Sequence, residues 1–320
     1  RVIYVAGVGM FSVGNTYNSS LVAGDIAETN ARVIASVEET SVYKTIKEKD
    51  IFDIEYWSLE QAKLNKNKKV LQGKVVVITG SLGTIGFETY KLFKQQGAEV
   101  VLLDCNKRKI KQVQSSIPDL CLYADVTKRG SIQKAYKLIC EKYGGIDILI
   151  SNAGSVSDGP IADVSDESLK KSFDDNFFSH QICASEAVKI MLKQKKPGCL
   201  LFNISKQSVN PGLNFGSYGL PKTALLGLCK QYAIDYGRYG IRSNGINADR
   251  IKSGILNSAV IKNRAKARQI SIDDYMKGNL LLNEVTAFDV ALAFLHLAVS
   301  KKSTGAILTV DGGNIAASMR

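Results

Sequence analysis

Apolar positions along this chain change their period in a regular way. Lys74 is followed by Val75-Val76-Val77-Ile78-Thr79, a mostly β-branched run without polar interruption, which is the pattern of a strand buried on both faces of a parallel sheet. Gly80-Ser81-Leu82-Gly83-Thr84-Ile85-Gly86 comes next with no spacer, and Ile85, Thr89, Leu92 and Phe93 then recur at helical spacing. The same exchange of short apolar run for helical period continues to the end. Strands are predicted near 75–79, 99–104, 120–124, 146–151, 199–205, 241–247 and 306–310, and helices near 85–96, 106–116, 131–143, 165–194, 217–237 and 286–299. Seven strands joined by six crossovers predict an α/β fold built on a doubly wound, seven-stranded parallel sheet.

The first 72 residues do not share this rhythm. Residues 1–14 read as a strand and a glycine loop, Val5-Ala6-Gly7-Val8-Gly9-Met10-Phe11-Ser12-Val13-Gly14, followed by one long helical pattern from Ser19 to about Glu39. No second strand with an acidic end follows at the right distance, so this loop is a decoy for a nucleotide cradle. Residues 40–72 hold an aromatic cluster around Trp57, expected to anchor the segment on something apolar, and then a polar, basic tract from Lys63 to Lys69 with linker composition. The expected division is therefore a tail plus linker over 1–72 and a domain over 73–320. Arg1-Val2-Ile3-Tyr4-Val5 has neither an initiator Met nor a signal-peptide layout and reads as a strand beginning mid-fold, so the chain is expected to be a piece of a longer polypeptide.

Composition narrows the class. At 320 residues, 45% hydrophobic and 22% charged, the chain has the make-up of a globular protein with a sizeable core, and no window approaches the 18 apolar residues of a membrane span. Six cysteines, none spaced C-x-x-C and most in apolar runs, and only two histidines argue against a zinc or histidine metal site and point to buried thiols in a reducing cytoplasm. The formal charge of +12 invites a nucleic-acid reading, but the basic residues lie at 63–74, 107–111, 189–196 and 262–268 on loop or helix-surface positions. They are not interleaved with aromatics and belong to no nucleic-acid module, so they are read as solvated faces.

Chemistry enters with the glycine loop. Strand, loop and helix start form a diphosphate cradle: Gly80, Gly83 and Gly86 let the backbone approach, and free N–H groups along Leu82, Thr84 and Ile85 plus the helix dipole favour negative charge. Asp104 ends the next strand, 24 positions after Gly80, near the ~20 expected of a carboxylate that hydrogen-bonds an adenosine ribose. A carboxylate there repels a 2′-phosphate, so NAD is expected rather than NADP. Asp104 capping the following helix is the plainer alternative. Farther on, Tyr218 and Lys222 stand four apart at a predicted helix start and share one face, with Pro221 expected in the first turn. A phenol with its ordinary pKa near 10 is a poor acid–base group at neutral pH. An ammonium ~4 Å away at an effective dielectric of ~20 is worth up to about 4 kcal/mol, roughly three pKa units, and is expected to bring the phenol into range.

These motifs occur in an order that resembles the short-chain dehydrogenase/reductase family, a Rossmann-type fold. The resemblance covers about Gly73 to the C-terminus. It rests on Thr79-Gly80-x-x-Gly83-x-x-Gly86, Asp104, Ala124-Asp125-Val126, Ser151-Asn152-Ala153-Gly154, Asn176, Ser205, Tyr218/Lys222, Ile241-Arg242-Ser243-Asn244 and Val310-Asp311-Gly312-Gly313. It implies that Tyr218 exchanges a proton with the substrate oxygen, that Lys222 lowers its pKa and holds the nicotinamide ribose, that a serine orients the substrate, and that Asn176 holds a relay water. It also implies that Asp125 and Val126 flank the adenine, that Asn152, Ala153 and Gly154 line the cofactor floor, and that Ile251 and Ser253 contact the nicotinamide amide and phosphates. Family members are usually homotetramers or homodimers.

Three departures stand out. Thr84 occupies a place where the family loop commonly continues differently. The serine is ambiguous: thirteen positions before Tyr218 lies Ser205, while counting from Asn203 puts Lys206 in its place, and strand alternation forbids both facing one side, so Ser205 is favoured with Lys206 or Ser208 as substitutes. The usual Pro-Gly after the sixth strand is Ala248-Asp249, and Arg250, Lys252, Lys262, Arg264, Lys266 and Arg268 then enter the substrate loop, which suits an anionic ligand such as a sugar phosphate. Gly7–Gly14, Asp53–Leu64, Ser205-Lys206-Gln207, Asn210-Pro211-Gly212 and Ala248-Asp249-Arg250 further resemble bifunctional aldolase/short-chain dehydrogenases of the rhamnulose-1-phosphate aldolase type, in which a class II aldolase domain precedes the dehydrogenase. That resemblance implies action on lactaldehyde, a related polyol or a sorbitol-6-phosphate-like substrate, in a chain fused to an upstream aldolase.

Overall fold

The structure, a computed structural model, describes residues 1–55, 69–254 and 256–314. The expected anchoring role of Trp57 and most of the basic tract lie outside the described residues. Backbone contacts divide the chain into two units, Arg1–Gly73 and Lys74–Arg320. In the first, Val2–Val5 (β1) and Gly9–Ser12 (β2) pair antiparallel as a hairpin, followed by helices Tyr17–Glu38 (α1) and Glu48–Glu55 (α2). This replaces the expected single strand and glycine loop. Gly7 at φ 73 and Gly9 at φ 136 supply the left-handed turn that returns the chain on itself. Thr16 caps α1 through the Ser19 N–H, and Ser19 caps back.

The second unit carries a seven-stranded, all-parallel sheet: Val75–Thr79 (β3), Glu99–Asp104 (β4), Cys121–Tyr123 (β5), Ile148–Ser151 (β6), Gly198–Asn203 (β7), Ile241–Ala248 (β8) and Ile307–Val310 (β9). Their order across the sheet is β5-β4-β3-β6-β7-β8-β9, so the winding reverses between β3 and β6. Helices Thr84–Gln95 (α3), Lys107–Gln114 (α4), Arg129–Tyr143 (α5), Asp166–Phe173 (α6), Ser179–Gln194 (α7), Gly216–Tyr236 (α8), Ser258–Ala267 (α9), Ile272–Met276 (α10) and Ala287–Val299 (α11) make the connections. No helix among the described residues is long and apolar enough to cross a membrane.

Alternation explains why the central strands read as unbroken apolar runs. Val75, Val77, Val101, Leu103, Leu149, Leu200 and Phe202 join one core with Tyr136, Ile139, Ala184, Val188, Leu225 and Cys229 from α5, α7 and α8. The intervening Val76, Ile78, Val100, Leu102, Ile148 and Ile150 are equally buried and point to the opposite face, where α3 and α11 pack together. Arg242 and Asn244 serve the frame: Arg242 donates to the Leu297, Ala298 and Ser303 carbonyls, satisfying the last turn of α11, and Asn244 bonds Ser303 and Ala306. The predicted helix 165–194 is continuous in space but changes pitch. Asp174–Phe178 forms a π turn between α6 and α7.

Candidate functional site

The carboxyl ends of β3, β4, β6, β7 and β8 meet at the place where the strand order reverses, which is where open parallel sheets form a crevice. At β3 the glycines are held by contact. Gly80 sits at φ 59, and a Cβ there would lie 2.8 Å from the Ala153 Cα; a Cβ on Gly86 would lie 2.5 Å from the Gly80 carbonyl oxygen. Gly83 precedes the first turn of α3 and makes no side-chain cap, so the N-terminal amides there point outward unclaimed by a side chain. The loop therefore fits a diphosphate: bulk is excluded where the backbone must come close, and α3 aims its positive end outward.

Asp104 buttresses this loop. Its two carboxylate oxygens accept from the Leu82 N–H at 3.0 Å and the Asn106 N–H at 2.9 Å. The cap of α4 is Asn106, which accepts from the Lys109 N–H, so Asp104 is not itself that helix's cap. Asp125 accepts from the backbone and hydroxyl of Thr127 in a turn after β5, and Val126 packs on the core. Ile251 is buried in the loop after β8, and Ser253 accepts from Leu256 N–H within that loop.

A network that sequence reasoning missed ties the strand ends together. The Thr79 hydroxyl accepts from the Asn152 and Ala153 N–H groups at 3.0 and 3.1 Å. Asn152 donates to the Thr79 and Gly80 carbonyls and accepts from the Asn203 side chain at 2.8 Å. The Asn203 carbonyl in turn accepts from Lys222 Nζ at 2.9 Å. Behind Lys222 lies buried His180, whose Nε2 is 3.5 Å from Nζ while its Nδ1 is 2.7 Å from the Ser151 hydroxyl. Burial and the neighbouring Lys222 hold this imidazole well below the usual histidine range. Thr79 stands in the glycine motif and Asn203 ahead of the serine, but neither motif gives them this role, and His180 belongs to no motif; their spacing relative to Lys222 is set by the fold.

Asn176 lies buried in the π turn, donating to Ser172 and accepting from the Ser155 N–H at 3.2 Å. The wide turn re-aims one residue of an otherwise regular helix, a device frequent at functional sites. Gly154 lies against it: a Cβ there would stand 2.8 Å from Asn176 Oδ1 and 3.7 Å from Lys222 Nζ.

Tyr218 and Lys222 share one face of α8, but their electrostatics differ from expectation. The helix begins at Gly216, which puts Pro221 in its second turn, where the ring lacks the donor for the carbonyl one turn back. The Lys222 ammonium lies 5.7 Å from the Tyr218 ring centroid and spends a hydrogen bond on Asn203. Burial pushes the Lys222 pKa down to about 7. Burial also pushes the Tyr218 phenol up, and a hydrogen bond with Ser205 pulls the other way. Within the chain alone, desolvation outweighs the charge–charge effect expected from the spacing.

The geometry also separates the three serine candidates. β7 ends at Asn203, and Ser205 opens a 3-10 turn over Lys206–Ser208, so strand alternation does not govern them. Ser205 is the one of the three that acts on the Tyr218 phenol, pulling its pKa down, and its hydroxyl also accepts from the Gln207 N–H at 3.2 Å. Lys206 turns to Asp249, 3.6 Å away, and the buried Ser208 hydroxyl donates to the Ser205 carbonyl at 2.7 Å.

Comparison with known proteins adds to this geometry. A family profile described as enoyl-(acyl carrier protein) reductase matches residues 80–314, and one described as aldolase class II, second domain, matches residues 1–64. The uncharacterized oxidoreductase YuxG of Bacillus subtilis is 31% identical across 100% of this chain, which spans only about half (49%) of that relative's length. Short chain aldehyde dehydrogenase 1 of Euphorbia lathyris is 33% identical over 77% of this chain and 89% of its own. Among solved structures, a 3-ketoacyl-(acyl-carrier-protein) reductase from Brucella melitensis complexed with NADH superposes with a TM-score of 0.69 at 24% identity, covering 76% of this chain and 98% of that one. ElxO with NADP bound gives 0.67 at 25% identity, covering 76% and 99%.

Proposed function

Because this chain belongs to the short-chain dehydrogenase/reductase family and is an NAD(P)-dependent oxidoreductase, we propose that it moves hydride between NAD and a small polyol, hydroxyaldehyde or sugar phosphate. The single observation that carries the reading is the placing of Tyr218 one helical turn from Lys222 on α8, the lysine buried against the Asn203 carbonyl with its ammonium 5.7 Å from the Tyr218 ring centroid. In this reading a bound nicotinamide supplies the hydride chemistry, and the chain's residues do the rest. Gly80 through Gly86 hold the diphosphate, with Thr84 and Ile85 presenting amides; Leu82, expected to present one too, instead spends its N–H on Asp104 and shapes the loop. Asp104 takes the adenosine ribose, Asp125 and Val126 flank the adenine, Asn152, Ala153 and Gly154 form the floor, and Ile251 and Ser253 close over the carboxamide end.

Tyr218 takes the substrate hydroxyl proton during oxidation and returns it during reduction, while Ser205 orients the substrate oxygen. Lys222 holds the ribose and stabilises the phenolate, with Asn176 on the proton route. Asp104 favours NAD over NADP because a second negative charge beside its carboxylate is repelled. The aldolase-domain match at 1–64 supports a longer protein in which an aldolase half precedes this one, the cysteine usage supports a cytoplasmic location, and the family habit supports a homotetramer or homodimer. The second reading is a cofactor-binding scaffold with little catalysis of its own: the departure in the serine motif favours it, and the set of Tyr218, Lys222 and Asn176 speaks for catalysis instead.

The test is a panel of sugar alcohols, hydroxyaldehydes and their phosphates with NAD and with NADP, followed by reduced-nicotinamide absorbance. Turnover of at least one polyol-type substrate, faster with NAD, is expected. No turnover with any member of the panel, or a preference for NADP, would contradict the proposal.

A further inference from the structure

Contacts separate the cations around residues 249–283 into two kinds. Arg250, at φ 53, donates to the Tyr275 and Gly278 carbonyls at 2.8 and 3.0 Å and lies 3.5 Å from Asp249, so it is an internal tie. Lys252 pairs with Glu284 at 2.8 Å, and Lys206 is turned to Asp249. On α9, Ile261 and Ala265 are buried, Lys262 and Lys266 are exposed, and exposed Arg268 lies over the Tyr275 ring. Arg264 differs from all of these. Half-buried beside Ala265, it lays its guanidinium carbon 3.8 Å from the centroid of the Phe215 ring, and Phe215 packs edge-on against Tyr218 with centroids 6.4 Å apart.

Among the described residues Arg264 has no carboxylate within ion-pair distance, and its one side-chain donation is a long one, 3.5 Å from Nη1 to the Tyr275 hydroxyl. A partly desolvated cation without a counter-charge is unfavourable unless a ligand supplies one. Stacking on Phe215 fixes the plane of the fork while leaving its in-plane N–H groups for an anion, the arrangement that suits bidentate recognition of phosphate or carboxylate.

We propose that Arg264 is the receptor for an oxyanion at the far end of the substrate, a terminal phosphate or carboxylate. The assignment rests on the oxidoreductase reading of Tyr218 given above. It places the reacting carbinol at Tyr218 and Ser205 and the anion across Phe215. The other lid cations hold the lid or face solvent.

Two arms test it on the full chain. In the first, kcat/KM is measured for sorbitol 6-phosphate, for sorbitol and for gluconate with wild type, Arg264→Gln, Arg264→Lys and Lys266→Gln. Arg264→Gln is expected to lower the ratio of anionic to neutral substrate by about 10- to 100-fold, carried in KM rather than kcat, since a hydrogen bond to a charged group has that worth. Arg264→Lys recovers part of the ratio, and Lys266→Gln leaves it as in wild type; the phosphate and carboxylate arms tell which anion is held. An unchanged ratio in Arg264→Gln, or an equal loss in Lys266→Gln, would overturn the assignment. In the second arm, inorganic phosphate is titrated by calorimetry into protein saturated with NADH, which fills the glycine loop and needs no turnover. Binding to wild type but not to Arg264→Gln upholds the anion site even if the polyol reading fails, and equal or absent binding in both would overturn it.

Discussion

Lys222 is the residue at which chemistry and stability oppose each other. Its pKa is held at about 7 in the folded chain against the ordinary 10.5 when unfolded. Between those values the unfolded chain binds more protons, so this residue's contribution rises with pH from about 7 to 10.5, and below 7 the whole penalty is present. The gap corresponds to at most about 5 kcal/mol, and replacing the ammonium would leave the Asn203 carbonyl without its donor, which costs about 1–3 kcal/mol. Lys222→Met is therefore expected to be more stable than wild type by about 2 kcal/mol at pH 6. The advantage should shrink as the pH approaches 10, as read by urea denaturation at both pH values. A less stable variant at pH 6 would show that Lys222 is not held against desolvation. None of this was legible in the spacing of Tyr218 and Lys222, which states that two side chains share a face but not how deeply they lie.

At the scale of elements, the first crossover was the most legible part of the chain, because a buried parallel strand, a glycine turn and an amphipathic helix each leave a distinct pattern over few residues. Gly86 shows what the pattern encodes. Inside a helix, Ala ordinarily replaces Gly with a gain in stability, but here the added Cβ would press on the Gly80 carbonyl. Gly86→Ala is expected to destabilise by about 1–3 kcal/mol, an overpacking effect, and to weaken NADH binding, measured by thermal melting and by fluorescence titration. A variant as stable as wild type would contradict the close approach. Legibility fell where one element ended and another began. The end of β7 at Asn203 and the 3-10 turn that follows decide which of Ser205, Lys206 and Ser208 meets Tyr218, and a periodicity argument run past the true strand end could not decide it. The π turn that seats Asn176 is likewise invisible to a 3.6-residue period, since it inserts extra backbone without changing residue type.

For the molecule as a whole, the strand order and the winding reversal between β3 and β6 follow from alternation and right-handed crossovers, and they bring residues from 79 to 253 to one sheet edge. Every residue assigned to the site lies in the unit Lys74–Arg320. A fragment beginning at Lys74 is accordingly expected to bind NADH with an affinity within about twofold of the full chain; loss of binding would show that the first unit contributes to the site. What remained illegible at this scale was the substrate, because the lid after β8 follows no motif and its cations are distinguished only by their contacts. The central claim is that Tyr218 transfers the proton beside a nicotinamide held on the first crossover, and Tyr218→Phe tests it most directly. Turnover and NADH dissociation constant are measured on the same preparation: the account predicts turnover lower by about 10²- to 10⁴-fold with NADH affinity nearly unchanged. Turnover retained at wild-type level would contradict it.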